Sequence, residues 1–266
     1  MASPADEDGS WTLFTLDVKS LRQNGPSCGL VALRMASVFV CSKETGGENV
    51  PSVQDILKVA TEKGFSRKGE IFSCQHLAAL GREVCNVSAD VIEDPSTELI
   101  CSAISYGKPV LIAYDADKDN SPCLLQGARA HWAVICGVAL PSTAGLSDRL
   151  GPLLEKVKEV EQGRTKLEVF VCCKQSSPFT EEGRGVCCCC TWCSGTSLGT
   201  PREKADNRVM GICLHGKSSR LNFWDLESLL ASNANLAQPR SDLSRVEMVV
   251  PEGLDGLKCK MIVISM

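Results

Sequence analysis

The chain has 266 residues, 44 % of them hydrophobic, and a formal charge of −4 with acidic and basic side chains interspersed. So much apolar material can bury a large core; the length allows one large domain or two small ones, and we read one. No broad cationic face is left to neutralise phosphates or anionic head groups, which argues against nucleic acid and membrane surfaces as partners.

The first ten residues, MASPADEDGS, read as an acidic, disordered tail. They are neither basic-then-apolar like a secretory signal nor Arg-rich like a transit peptide, so the expected compartment is the cytoplasm. In that reducing setting most of the sixteen cysteines should be free thiols rather than a disulfide framework.

Trp11 to Val18 reads as a short strand or extended arm, and Leu21 to Pro26 as a loop ending in a turn. From Cys28 to Val40 nearly every position is apolar, which predicts a helix buried on almost all sides with Arg34 and Ser37 on one edge. That run is too short to cross a bilayer, which takes roughly 20 apolar residues. Ser52 caps a second helix carrying Val53, Ile56, Leu57 and Ala60 and stopping at Gly64. A third is expected over about 73–81 and a fourth from Pro95 to Tyr106.

The pattern then changes. Lys108 to Tyr114 and His131 to Val138 are compact apolar runs rich in β-branched residues and read as interior strands. Leu167 to Cys173, Val209 to Leu214 and Lys260 to Ser265 complete the expected sheet. A helical first half and a stranded second half make an α+β domain over residues 11–266. Within it, a Cys-rich insertion at about 141–206 contains a polar helix near 151–162 and a Gly, Ser, Thr and Pro-rich loop from Ser194 to Arg202.

Cys28 stands apart from the other thiols. At a helix N-terminus a cysteine feels unpaired N–H groups and the positive end of the macrodipole, which favour thiolate. The plain alternative is a small buried hydrophobe, as most free cysteines are. Gln23 tips the balance, because its amide can reach the same place as the backbone N–H of Cys28 and supply a second oxyanion donor. A base is then needed, and the chain has three histidines. His131 opens a strand at a sheet end and is the best candidate; His76 falls within a helical pattern and reads as structural. His215, at the end of another strand, competes with Asp206 and Asn207 for the role of orienting group.

Four segments, QNGPSCGLVALRMA, GKPVLIAYDAD, AHWAVICGV and HGKSSRLNFWDLESLLASNANL, together resemble the actin maturation protease family. The resemblance spans most of residues 11–266. It implies a papain-like fold similar to bacteriocin-processing cysteine peptidases, and an aminopeptidase that removes the N-acetylated first residue of immature actin. Carried over by position, Cys28 is the nucleophile, His131 the base and Gln23 the oxyanion donor, with no cofactor and no metal. Family members can carry a proline-rich N-terminal extension suited to profilin; the acidic start of this chain is not such a segment. An acidic actin N-terminus would also favour cations at the cleft, for which Arg22, Arg129 and Lys217 are the candidates.

Other readings remain. The C-x-x-C spacing among Cys187, Cys188, Cys189, Cys190 and Cys193, with Cys172 and Cys173 upstream, could begin a zinc site, or mark free thiols open to oxidation or acylation. Another Cys-His hydrolase or acyl transferase, ubiquitin-directed or transglutaminase-like, would use the same chemistry. The transglutaminase-like form would favour an Asp soon after the His131 strand, and none occurs before Asp148. A non-catalytic actin-binding module is the remaining alternative.

Overall fold

A computed structural model describes residues 11–45, 50–141, 168–172, 208–238 and 248–266. The acidic tail, the polar helix near 151–162, the loop 194–202, the cysteines from 173 to 193, Asp206 and Asn207 lie outside the described residues.

The described elements are, in chain order, β1 (Trp11–Thr15), α1 (Cys28–Thr45), α2 (Val53–Glu62), α3 (Cys74–Glu83), β2 (Ser88–Glu93), α4 (Thr97–Ser105), β3 (Val110–Asp115), β4 (Ala130–Pro141), β5 (Glu168–Cys172), β6 (Met210–His215), β7 (Asn222–Asp225), α5 (Leu226–Ala234), β8 (Pro251–Leu254) and β9 (Lys260–Ser265). All strands except β8 join one antiparallel sheet in the order β2-β9-β3-β4-β1-β5, with β6 paired to β4 and β7 to β6. The α+β class expected from the sequence is what the chain adopts.

β4 is the spine of this sheet. Along one edge its first half pairs with β3, from Tyr114 opposite His131 to Val110 opposite Ile135, and its second half with β1, from Thr15 opposite Gly137 onward. The handover needs Gly137, where a Cβ would run into the carbonyl of Phe14, and the β4–β6 register shifts at the same point.

α1 packs across β4, β9, β3 and β6. Leu30, Val31, Leu33, Met35, Ala36 and Val40 are all buried, as a helix apolar on every side requires. Ser37, expected on an edge with Arg34, is buried instead, while Arg34 Nε donates to the carbonyl of Pro51 at the approach to α2. α2 begins at Ser52 with a reciprocal capping box: the Ser52 hydroxyl accepts from the N–H of Asp55, whose carboxylate accepts from the N–H of Ser52.

Two elements break the expected division into helical and stranded halves. β2 lies between α3 and α4 as an edge strand paired only to β9, its half-polar sequence SADVIE fitting a surface exposed on one side. Asn86 and Asp94 bracket it with positive φ, a conformation these residue types tolerate. α5 follows β7 and is capped by Asp225, whose Oδ2 accepts from the N–H of Ser228 at 3.1 Å.

Candidate active site

Cys28 is the first residue of α1, where backbone N–H groups have no partner within the helix. The preceding turn is braced twice. Ser27 Oγ donates to the carbonyl of Asn24 at 2.9 Å, and Gln23 Nε2 donates to the carbonyl of Gly25 at 2.8 Å. Gln23 also donates its backbone N–H to the carbonyl of Gly216 at 2.8 Å. A Cβ at Gly216 would sit 2.7 Å from Gln23 Oε1, so this approach of the β6–β7 turn needs glycine. The amide has a second N–H not used by Gly25.

The start of β4 supplies the other side. Successive side chains of a strand point to opposite faces, and Trp132 turns toward α1. Its indole N–H donates to the carbonyl of Ile71 at 2.9 Å, and a Cβ on Gly29 would meet its ring tightly, at 3.1 Å. His131 turns to the other face, edge-on to Tyr114 with ring centroids 5.9 Å apart and edge-on to His215 at 5.8 Å. His215 stacks in turn on Trp224.

His131 is 4 % exposed, and its Nε2 is buried with no hydrogen-bond partner among the described residues. A buried polar atom left in that state is uncommon and recurs where chemistry needs it free. Burial first, then the positive charge of Lys217, the neighbouring His215 and Arg129, depress its pKa to about 3. The resting ring is therefore neutral across the neutral range. His215 is shifted the same way, by burial and by Lys217, and its Nδ1 accepts the backbone N–H of Lys217 at 3.3 Å. Its own proton then sits on Nε2.

The Cys28 thiol is pushed up from the usual range by burial, partly offset by the N–H groups of Trp132, Gly29 and Cys28 itself and by Lys217. With the thiol raised and the imidazole of the same pocket neutral, neither group carries a resting charge, so the two do not stand as a preformed thiolate–imidazolium. Alkylation of Cys28 by iodoacetamide is accordingly expected to be slow at pH 7 and still rising above pH 9. Peptide mapping of the labelled protein across pH checks this, and full labelling at pH 6 would contradict it.

Gln23, Cys28 and His131 line a single pocket of about 280 Å³, with Pro26, Trp132, Arg129 and Lys217 among the other walls. Of the cations expected at the cleft, Arg129 and Lys217 line it and Arg22 does not. His76 stacks on Phe65 in α3, its centroid 4.0 Å away, as a structural histidine would. Two groups the sequence did not single out also matter. The ring of Tyr114, fully buried, backs His131, and its hydroxyl donates to the carbonyl of Asn120. Asp115, also fully buried, organises the loop that leads into His131 by accepting from the N–H groups of Leu125, Gly127 and Arg129. Nothing in the local sequence of this loop marks Asp115 as its anchor.

No group of three or more His, Cys, Asp or Glu side chains able to hold a metal occurs among the described residues. Among the same residues, no helix is long and apolar enough to cross a membrane.

Residues 18–139, a range that holds Gln23, Cys28 and His131, match the family model "Actin maturation protease-like, C-terminal domain". The chain is 40 % identical to the actin maturation protease of Homo sapiens over 253 residues, which is 92 % of this chain and 63 % of that protein. It is 28 % identical to that of Danio rerio over 96 % of this chain and 75 % of the relative, and 36 % identical to that of Drosophila melanogaster over 90 % and 64 %. No solved structure matches the chain. The chain thus spans a little under two thirds of the human protein, and over most of its own length it is similar to actin maturation proteases.

Proposed function

We propose that the chain is a cysteine aminopeptidase of papain-like type that removes the N-acetylated first residue of immature actin, working in the cytoplasm. One observation carries the reading: Gln23, Cys28 and His131, separated by up to 108 positions, line one pocket inside the stretch that resembles the actin maturation proteases.

The chemistry follows from the groups present. His131 takes the Cys28 proton as the sulfur attacks the carbonyl carbon of the blocked residue. The carbonyl oxygen gains the negative charge and is met by the backbone N–H of Cys28 and an N–H of Gln23, each such donor contributing about 10²-fold or more in rate. The C–N bond then breaks, the His131 imidazolium gives its proton to the leaving amine of actin, and a thioester remains on Cys28. Water, deprotonated by His131, hydrolyses the thioester and releases the N-acetyl amino acid. His215 packs edge-on against His131 and restricts its ring. Lys217 and Arg129, whose charge is felt at His131, favour an acidic residue on the leaving side.

The test is to incubate the full chain with acetylated, unprocessed actin and read the actin N-terminus by mass spectrometry. Wild type should remove the blocked residue, Cys28→Ser should leave it in place, and charge reversal at Lys217 and Arg129 should lower kcat/KM. An untouched N-terminus with wild type defeats the proposal; cleavage by Cys28→Ser assigns the reaction to another group.

A further inference from the structure

Leu124 and Leu125 are 61 % and 52 % exposed, two adjacent large apolar side chains open to solvent. A single exposed leucine is ordinary; a pair held out by a pinned backbone is less so. Here the backbone is pinned on both sides of the pair. The carbonyl of Cys123 accepts from the Ser232 hydroxyl at 2.7 Å, and its N–H donates to the carbonyl of Asp115 at 2.9 Å. The N–H of Leu125 itself goes to the buried Asp115 carboxylate. After the pair, the N–H of Gln126 donates to Asn235 Oδ1 at 2.9 Å, and the carbonyl of Gln126 accepts from the N–H groups of Ala237 and Gln238 just beyond α5.

Gln126 (φ +60°) and Gly127 (φ +91°) form the centre of a tight turn, closed by the N–H of Ala128 on the carbonyl of Leu125 at 3.2 Å. A Cβ at Gly127 would run into Leu254 and the carbonyl of Gln238, so the turn takes only glycine there. The same turn reaches the pocket: Gly127, Ala128 and Arg129 line it, two residues before His131. Leu125 is thus hydrogen-bonded directly to a pocket wall. The other exposed large apolar side chains among the described residues, Leu99 and Tyr106 at α4 and Met266 after β9, stand by elements that give the pocket no wall.

We propose that Leu124 and Leu125 are a docking surface, outside the pocket, for the folded body of the protein substrate, meeting an apolar patch on actin while its blocked N-terminus occupies the site. The inference rests on the reading of the chain as an actin-processing protease. A pocket of about 280 Å³ admits a terminus and not a folded protein. The body attached to that terminus must rest on surface that continues the pocket walls outward, and the turn joining Leu125 to Ala128 is such a continuation. A backbone already fixed suits this use, because no loop has to be ordered when the partner arrives.

The test compares two substrates of the full chain: folded acetylated actin, and a short acetylated peptide with the N-terminal sequence of actin. Leu124→Ser combined with Leu125→Ser leaves every backbone hydrogen bond of the loop its partner. It should lower kcat/KM on folded actin by about tenfold or more, chiefly through KM, and leave the peptide within about twofold of wild type. Leu99→Ser, which removes an exposed leucine from α4, should change neither substrate. Where the peptide turns over too slowly to compare, the Kd of Cys28→Ser for folded actin, with and without the two leucine changes, reads the same contact, and an unchanged Kd overturns the proposal. So does a double variant that matches wild type on folded actin, or one that loses actin and peptide equally, since the leucines would then act through the shape of the site. Loss of self-association in gel filtration with actin processing unchanged would make a second copy of the chain the occupant and overturn it as well. Wild type that processes neither substrate defeats the protease reading, and this surface with it.

Discussion

Replacing His131 with asparagine is expected to slow removal of the blocked residue by about 10³-fold or more, and adding Cys28→Ala to that variant to cost little further. In the proposed mechanism the two residues act as one unit. With the thiol pushed up by burial and the imidazole held neutral, there is no resting thiolate to attack by itself. Losing the base therefore removes the nucleophile's only route to activation, and losing the sulfur as well removes something already silent. Asparagine suits the site because it is polar and smaller than imidazole, so the pocket stays open. Single-turnover rates on acetylated actin for the two single variants and the double variant check the expectation. Penalties that multiply would show that Cys28 and His131 work independently and would defeat the shared-proton scheme.

The largest structural effect is expected at Asp115. Asp115→Ala should cost about 3–5 kcal/mol, the range for breaking a buried charged network, and should reduce activity with it. The carboxylate is inaccessible, and Oδ2 accepts from Leu125 at 2.6 Å and Gly127 at 2.9 Å while Oδ1 accepts from Arg129 at 3.0 Å. Truncation leaves three loop N–H groups without their acceptor, each a penalty of about 1–3 kcal/mol if it stays buried. It also frees the segment that delivers Arg129 and His131 to the pocket. Asp115→Asn should fall between the two, since one acceptor oxygen survives. Urea unfolding midpoints read the stability, and kcat measured well below the transition reads the geometry. A stability loss under about 1 kcal/mol would mean that the loop holds its shape by other contacts.

What could be read in the sequence was what depends on neighbours along the chain. α1 was legible because its apolar run leaves no polar face, α2 because Ser52 precedes a helically spaced apolar set, and β4 because its β-branched and apolar residues are continuous. That Gln23 and Cys28 come together could be read for the same reason, since they share one turn and the structure lines one pocket with both. β2 was missed because an edge strand exposed on one side carries too few apolar residues to stand out between two helices. α5 was missed although Asp225 caps it, because the helix is only nine residues long and follows β7 with no loop between them. Glu70 and Asp115 were invisible for a deeper reason. A carboxylate in a sequence looks like surface, and only the fold reveals that its partners are backbone N–H groups of loops, one of them 179 residues away.

The pocket is walled by stretches far apart in the chain, from Gln23 to Leu257. During synthesis α1 can form before Met248, Val249 and Leu257 have left the ribosome, and until they dock the pocket lacks the walls they supply. A partly made chain thus carries Cys28 without the chamber that the later stretch completes.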